Sequence, residues 1–144
     1  MGVRVLFPGS FDPFTEGHDN IVRRALALFD GVVVAVGVNS DKHYLLPVAE
    51  RVQRIRQRYA GESRIQVVDY DGMTVDCCRR QGCSAIVRGV RNAADLEYEQ
   101  MVAAVNKSQA PDIDTLLFPA EERLRDVSST LERELMTHKE NRRL

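Results

Sequence analysis

The unbroken apolar run Gly31-Val32-Val33-Val34-Ala35-Val36-Gly37-Val38 places the tightest limit on the fold. A strand with one face in water alternates apolar and polar residues, and this one does not, so both of its faces are covered. Strands of that kind belong to parallel sheets with helices packed above and below. Shorter apolar runs at 3–7, 65–68, 85–87 and 115–118 read as four more strands. Helical spacing fills the gaps between them. Ile21, Val22, Ala25, Leu28 and Phe29 fall on one face, and Val48, Val52, Ile55 and Tyr59 on another, the second beginning at Pro47. A third helix opens at Met73 or Thr74 and stops at Gly82. A fourth covers 93–106. A fifth starts within Val127-Ser128-Ser129-Thr130-Leu131-Glu132-Arg133, where Ser129 and Glu132 fit a capping box. Five alternations joined by right-handed crossovers predict an α/β fold. It is a single domain over 1–144, built on a Rossmann-like, doubly wound, parallel five-stranded sheet with helices on both faces.

The charge balance narrows the partners. Twenty basic and twenty-one acidic residues leave a formal charge of −1, which does not suit wholesale binding of nucleic acid. An anionic ligand must therefore be met by a local cluster. No apolar run is long enough to span a bilayer, and the N-terminus lacks the apolar core of a signal peptide, so no membrane partner and a cytoplasmic location are expected. Cys77, Cys78 and Cys83 are odd in number and two are adjacent, which reads as small buried apolar residues of one helix and not as a disulfide framework. Arg51, Arg54, Arg56 and Arg58 read as the solvated face of the second helix.

The chemistry points to Gly9-Ser10-Phe11-Asp12-Pro13-Phe14-Thr15-Glu16-Gly17-His18, the connection from the first strand to the first helix. In an open α/β sheet, ligands bind outside the carboxyl ends of the strands. Unpaired N–H groups and the positive end of the dipole at a helix start favour an anion. Gly9 and Gly17 are expected to let the backbone approach a phosphate closely. His18 stands where a charge-stabilising donor is wanted, and Asp12 reads as a turn-former before Pro13. Three further loops share that sheet edge, so Lys42, Arg88, Arg91, Ser128, Ser129 and Thr130 join Ser10 and His18 around one crevice. Such a set of cations and hydroxyls suits a reaction in which the protein positions phosphates and neutralises charge.

The first loop resembles the Gly-Ser/Thr-Phe-Asp-Pro-x-x-x-Gly-His loop of the nucleotidylyltransferase superfamily, with Thr15-Glu16-Gly17-His18 as its signature. Arg88-Gly89-Val90-Arg91-Asn92-Ala93-Ala94-Asp95-Leu96-Glu97-Tyr98-Glu99 is similar to the R-G-[LIV]-R-x-x-x-D-[FL]-E-Y-E segment of the phosphopantetheine adenylyltransferase family. The Val127 to Arg133 stretch is similar to that family's [IV]-S-S-[ST]-x-x-[KR], and Lys42 sits where the family has its lysine after the second strand. The resemblance implies transfer of the adenylyl group of ATP to 4′-phosphopantetheine, giving dephospho-coenzyme A and pyrophosphate by direct in-line attack. It implies Ser10, Lys42, Thr74 and Arg88 on the phosphopantetheine side. On the ATP side it implies Ser10, Phe11, His18, Gly89, Val90, Arg91, Glu99, Leu124, Arg125, Asp126, Val127, Ser128, Ser129 and Thr130. It implies His18, Lys42 and Arg91 as the catalytic groups, Mg²⁺ held through the nucleotide phosphates, and a homohexamer. A sister enzyme using CTP with an alcohol phosphate, or ATP with nicotinamide mononucleotide, is the nearest rival, and the R-G-V-R…E-Y-E segment argues against it.

Overall fold

A computed structural model describes residues 2–39, 41–126 and 128–143. The strands are β1 (Arg4–Gly9), β2 (Gly31–Gly37), β3 (Ile65–Tyr70), β4 (Ala85–Val90) and β5 (Asp114–Pro119). The helices are α1 (Glu16–Leu28), α2 (Val48–Arg58), α3 (Thr74–Arg80), α4 (Ala93–Gln109) and α5 (Ser129–Arg143), with a 3₁₀ turn at Glu122–Leu124. The strands form one parallel sheet in the order β3-β2-β1-β4-β5, the predicted doubly wound arrangement.

The pleat of each central strand divides the core into two layers. Val5, Phe7, Val32, Val34 and Val36 pack with Ile21, Val22 and Ala25 of α1 and Val52 and Ile55 of α2. Leu6, Val33 and Ala35 face the other way, onto Val75, Cys77 and Cys78 of α3. Each fully buried Val or Leu contributes roughly 1.5–3 kcal/mol through the apolar surface it removes from water. All three cysteines are free and buried, though Cys83 lies in the turn beyond α3. Burial pushes the Cys78 thiol up to about 12 and that of Cys83 up to about 11. Among the described residues no helix is long and apolar enough to cross a membrane.

Chain direction across the sheet reverses between β1 and β4, and the strands part there. β1 stays in register with β2 through Gly9↔Val36, but pairs with β4 only at Val5↔Ala85 and Leu6↔Ile86. Beyond those two pairs the carboxyl ends splay into a cleft at the topological switch point. The splay also explains why β1 runs on through Pro8. A central strand ordinarily rejects proline because it lacks a ladder donor. Here the Pro8 carbonyl is taken by Arg88 Nη1, on the side where the β4 ladder has ended.

Arg54, Arg56 and Arg58 of the second helix are exposed, as expected, and Arg54 pairs with Glu50 at 2.9 Å; Arg51 departs from the expectation. Arg51 is 2% exposed, Arg56 donates to the Val67 carbonyl, and Arg58 bonds Glu16 and the buried Asp19. Tyr59 donates to Asp19 at 2.6 Å, so this group ties α2 to α1.

Candidate active site

The cleft holds two cavities that share a wall. The first, about 360 Å³, lies over the carboxyl ends of β1 and β4 and the start of α1. Of the residues expected to contact ATP, Ser10, Phe11 and His18 line it from one side. Gly89, Val90, Arg91 and Glu99 line it from a second, and Leu124, Ser128, Ser129 and Thr130 from a third. Arg125 and Asp126 lie beside it, in a separate hollow reached through Arg91. Val127 falls outside the described residues. The second cavity, about 320 Å³, brings together Ser10, Lys42, Thr74 and Arg88, the whole set expected on the phosphopantetheine side. Gly9, Ser10, Arg88 and Tyr98 border both.

The start of α1 fixes His18. Thr15 is the N-cap, and its hydroxyl accepts the His18 N–H at 3.4 Å. In return, His18 Nδ1 accepts the Thr15 N–H at 2.9 Å, completing a capping box in which histidine replaces the usual Glu or Gln. Because Nδ1 spends its lone pair on that N–H, the ring proton resides on Nε2, the one polar atom left to face the cavity. Phe7, Phe11 and Phe14 surround the ring, with centroids 6.1, 4.9 and 5.3 Å away. Phe11 is itself buried under His18, so its side chain is a support for the ring. Burial in this aromatic nest, with the charges of Arg88 and Arg91 nearby, lowers the His18 pKa from 6.5 to about 3. The imidazole is therefore a neutral N–H donor across the physiological range.

That shift has a measurable consequence. The unfolded chain protonates His18 below 6.5, whereas the folded ring refuses the proton until about 3. Stability from this group is complete above 6.5 and falls as pH drops through that window, by up to about 1.4 kcal/mol per pH unit. We expect the His18 ring resonances to stay flat between pH 8 and 5 in an NMR titration. A midpoint near 6.5 would show that the ring is open to water.

The glycine at the end of β1 has a cause that sequence reasoning missed. A Cβ on Gly9 would meet the Phe11 ring at 2.8 Å, so Gly9 makes room for the aromatic that supports His18. Asp12 lies in the turn before Pro13 as expected, but its carboxylate, 2% exposed, serves to tie that turn to the next loop, accepting the N–H groups of Leu45 and Leu46 at 2.8 and 2.9 Å.

The two arginines of β4 and its exit are held by carboxylates. Arg91 Nε and backbone N–H both donate to Asp95 Oδ2, at 3.0 and 3.1 Å. Arg88 Nε donates to both oxygens of the buried Glu99, at 3.1 and 3.0 Å, and Nη2 to Oε1 at 2.7 Å. With Nη1 on Pro8, one N–H on each Nη is left over from the five a guanidinium carries. Burial disfavours the Arg88 charge, but the Glu99 hydrogen bonds outweigh it and raise the Arg88 pKa. Glu99 thus spends its carboxylate on Arg88. The α5 start also differs from expectation. Ser128 and not Ser129 caps it, accepting the Leu131 N–H at 3.2 Å, while Ser129 Oγ donates to the Pro13 carbonyl at 3.0 Å. Arg133 donates to the Asp12 carbonyl, so α5 is docked on the first loop. Asp95, Tyr98, Asn106 and Thr115 are cavity residues to which sequence reasoning assigns no role. The readable signal for the first is its place in the first turn of α4, where an acidic residue meets the helix start and the Arg91 just ahead of it.

The cytidylyltransferase-like family matches residues 6–135. The chain is 44% identical to the phosphopantetheine adenylyltransferase of Bacteroides fragilis over 92% of its own length and 88% of the relative's. It is 40% identical to the enzyme of that name from Leptospira biflexa, over 92% and 83% of the two chains. The chain belongs to the phosphopantetheine adenylyltransferases. Solved structures at 17% identity carry the same fold. A bifunctional NMN adenylyltransferase/ADP ribose pyrophosphatase from Francisella tularensis superposes with a TM-score of 0.69 over 93% of this chain and 42% of that one. A lipopolysaccharide core biosynthesis protein from Thermoplasma volcanium gives 0.58 over 84% and 98%.

Proposed function

We propose that this chain transfers the adenylyl group of MgATP to 4′-phosphopantetheine, with dephospho-coenzyme A and pyrophosphate as products. The observation that carries the reading is the pair of cavities meeting at Ser10 and Arg88, one bordered by the helix starts and the other by Lys42. A nucleotide in the first and a phosphate ester in the second would put the attacking oxygen beside the α-phosphorus at that shared wall. The second cavity runs on past Arg88 to the buried Asn106 and to Thr115, whose hydroxyl has no hydrogen-bond partner among the described residues. Such a tail suits an arm that carries amides.

In this reading an oxygen of the substrate phosphate forms a bond to the α-phosphorus as the bond to the β-phosphate oxygen breaks. Pyrophosphate leaves with that electron pair, and no covalent enzyme intermediate forms. The nucleophile is already ionised at neutral pH, so no general base is needed. His18 Nε2–H donates to the charge that builds on the equatorial oxygens, and Lys42 bridges nucleophile and α-phosphate as a mobile cation. Arg91, the Ser128 and Thr130 hydroxyls and the Ser129 backbone N–H hold the β- and γ-phosphates, and the remaining N–H on each Nη of Arg88 holds the accepting phosphate. Gly89, Val90, Leu124, Arg125 and Asp126 belong to the nucleotide side. Of the carboxylates facing the first cavity, Asp95 and Glu99 are committed to Arg91 and Arg88 and Glu121 pairs with Arg123, so magnesium enters as part of the nucleotide. Three free, buried thiols suit a reducing compartment, and we assign the reaction to the cytoplasm. A coupled pyrophosphate-release assay tests the reading. We expect turnover with ATP and 4′-phosphopantetheine and not with CTP or with nicotinamide mononucleotide; turnover with either of the latter instead would refute it.

The reading includes self-association, a homohexamer being the state that the family resemblance implies. Tyr98, Met101 and Val105 of α4, spaced three and four residues apart on one face, are 56%, 60% and 51% exposed, an apolar stripe that a second copy would cover. Sedimentation equilibrium at micromolar concentration should give a particle several times the 16.3 kDa chain mass. A lone monomer would overturn this.

A further inference from the structure

We infer that Arg51 is the positioning residue that holds the Lys42 loop in register with the Ser10 loop, an inference that rests on the adenylyl-transfer reading. Arg51 is 2% exposed, yet among the described residues each hydrogen bond it makes goes to a carbonyl and none to a carboxylate. Nε donates to Leu46 O at 3.0 Å. Nη1 donates to Ser10 O at 2.7 Å and to Gly37 O at 3.1 Å. The Tyr44 ring lies 3.9 Å from the guanidinium carbon, and its hydroxyl accepts the Asn39 N–H at 3.0 Å.

Burying a cation without a counter-charge is unfavourable, and an apolar side chain would fill this helix face more cheaply. What the arginine supplies is geometry. Its three carbonyls come from three segments: the loop after β1, the end of β2, and the far end of the 39–46 loop. Asp12 works from the other side, accepting the N–H groups of Leu45 and Leu46. The loop is thus fastened to the β1–α1 connection at one end and, through Tyr44, to Asn39 at the other. Lys42 is exposed, and its own backbone N–H reaches only back to Asn39 O at 3.0 Å. A lysine ammonium on a four-carbon stem is directed by where its backbone is held, and a shift near 1 Å can cost a rate of about 10²-fold. Arg51 borders neither cavity, so it acts on the reaction through the placement of Lys42 relative to the Ser10 loop and not on the ligands.

The test uses Arg51→Met, Arg51→Lys, Lys42→Ala and the double variant Arg51→Met/Lys42→Ala, with Arg54→Met as an exposed control on the same helix. Hydrogen exchange is followed in residues 41–46 and in β5, beside steady-state kinetics with ATP and 4′-phosphopantetheine. We expect Arg51→Met to speed loop exchange about 10-fold or more while β5 stays within about twofold. We expect kcat to fall about 30-fold with KM for ATP within about threefold. The double variant should be no slower than Lys42→Ala alone, within about twofold, because both changes remove one effect. Arg51→Lys, which can reach only part of the carbonyl set, should fall between wild type and Arg51→Met, and it carries the comparison if Arg51→Met does not fold. Unchanged loop exchange, exchange that rises equally in β5, or losses that add in the double variant would each overturn the inference. A wild-type chain that does not turn over this substrate pair would refute the adenylyl-transfer reading, and loop exchange would still decide whether Arg51 holds the loop.

Discussion

Replacing His18 with alanine is expected to lower kcat about 10²–10³-fold or more while ATP dissociation moves by no more than about threefold. The ring presents one N–H, and its orientation is set from behind by the Thr15 N–H on Nδ1. Burial keeps it neutral, with its pKa down near 3, so it meets the transition state as a fixed dipole and needs no proton transfer. A preorganised donor of this kind acts on charge that appears only as the pentavalent phosphorus forms, which is why the loss falls on kcat. Ground-state ATP has many other donors around the same cavity. Alanine also removes the histidine half of the capping box and leaves the Thr15 N–H without its acceptor, at a stability cost of about 1 kcal/mol, so a second variant separates the two effects. Glutamine is a standard capping-box residue at this position. His18→Gln should recover the stability and leave most of the rate missing. Single-turnover kinetics at saturating ATP decide the matter. A wild-type rate in His18→Ala would make this a binding residue and pass the transition-state role to Lys42 or Arg91.

The sheet and the two cavities are largely legible in the sequence because both depend on signals of short range. The valines of β2 declare a strand covered on both faces, and they are buried on both faces in the two core layers. The set expected on the phosphopantetheine side does converge, with Ser10, Lys42, Thr74 and Arg88 sharing one cavity, whereas Arg125 and Asp126 of the ATP-side set stand in a neighbouring hollow. The strand ends are harder. Asp69 and Tyr70 belong to β3, and Arg88, Gly89 and Val90 to β4, because pairing with neighbours extends past the apolar stretch. Arg51 is misjudged by residue type alone. It stands three residues after Val48 and four before Ile55, on the buried stripe, and its spacing outweighs its charge once backbone carbonyls are there to receive it. The Thr15–His18 box is hidden because histidine is not the residue that motif leads one to look for. The Ser129 cap fails by one residue, since Ser128 and Ser129 are equally good caps and docking onto Pro13 decides between them. Glu99 illustrates the deepest limit. A motif marks a residue as belonging to a site without saying whether it faces the ligand or another side chain.

The Glu99 case leads to the second large effect, a loss of both stability and substrate recognition in Glu99→Ala. The carboxylate is buried and accepts three hydrogen bonds from Arg88, whose side chain is 28% exposed. Removing it strands a guanidinium whose remaining protein bond is to Pro8 O. Breaking such a pair costs about 3–5 kcal/mol, and the partial exposure of Arg88 argues for the lower end. Set against a total near 5–15 kcal/mol for a domain, that is a change urea unfolding reads easily. The functional damage should fall on 4′-phosphopantetheine, because Arg88 is no longer aimed into the second cavity. Without a charge-assisted hydrogen bond from Arg88 to the accepting phosphate, binding weakens by about 1.5–3 kcal/mol, with ATP affinity changed much less. The paired variant Arg88→Met/Glu99→Leu removes charge from both partners. It should regain most of the stability, since apolar replacement of a buried ion pair is often neutral, and should still fail to hold the phosphate. Calorimetry on Glu99→Gln, which keeps the shape and gives up the charge, assigns the role. If Glu99→Gln weakens ATP and leaves phosphopantetheine untouched, then Glu99 is a nucleotide ligand and its pairing with Arg88 is incidental. If phosphopantetheine suffers, Glu99 works as the support of the residue that receives the accepting phosphate.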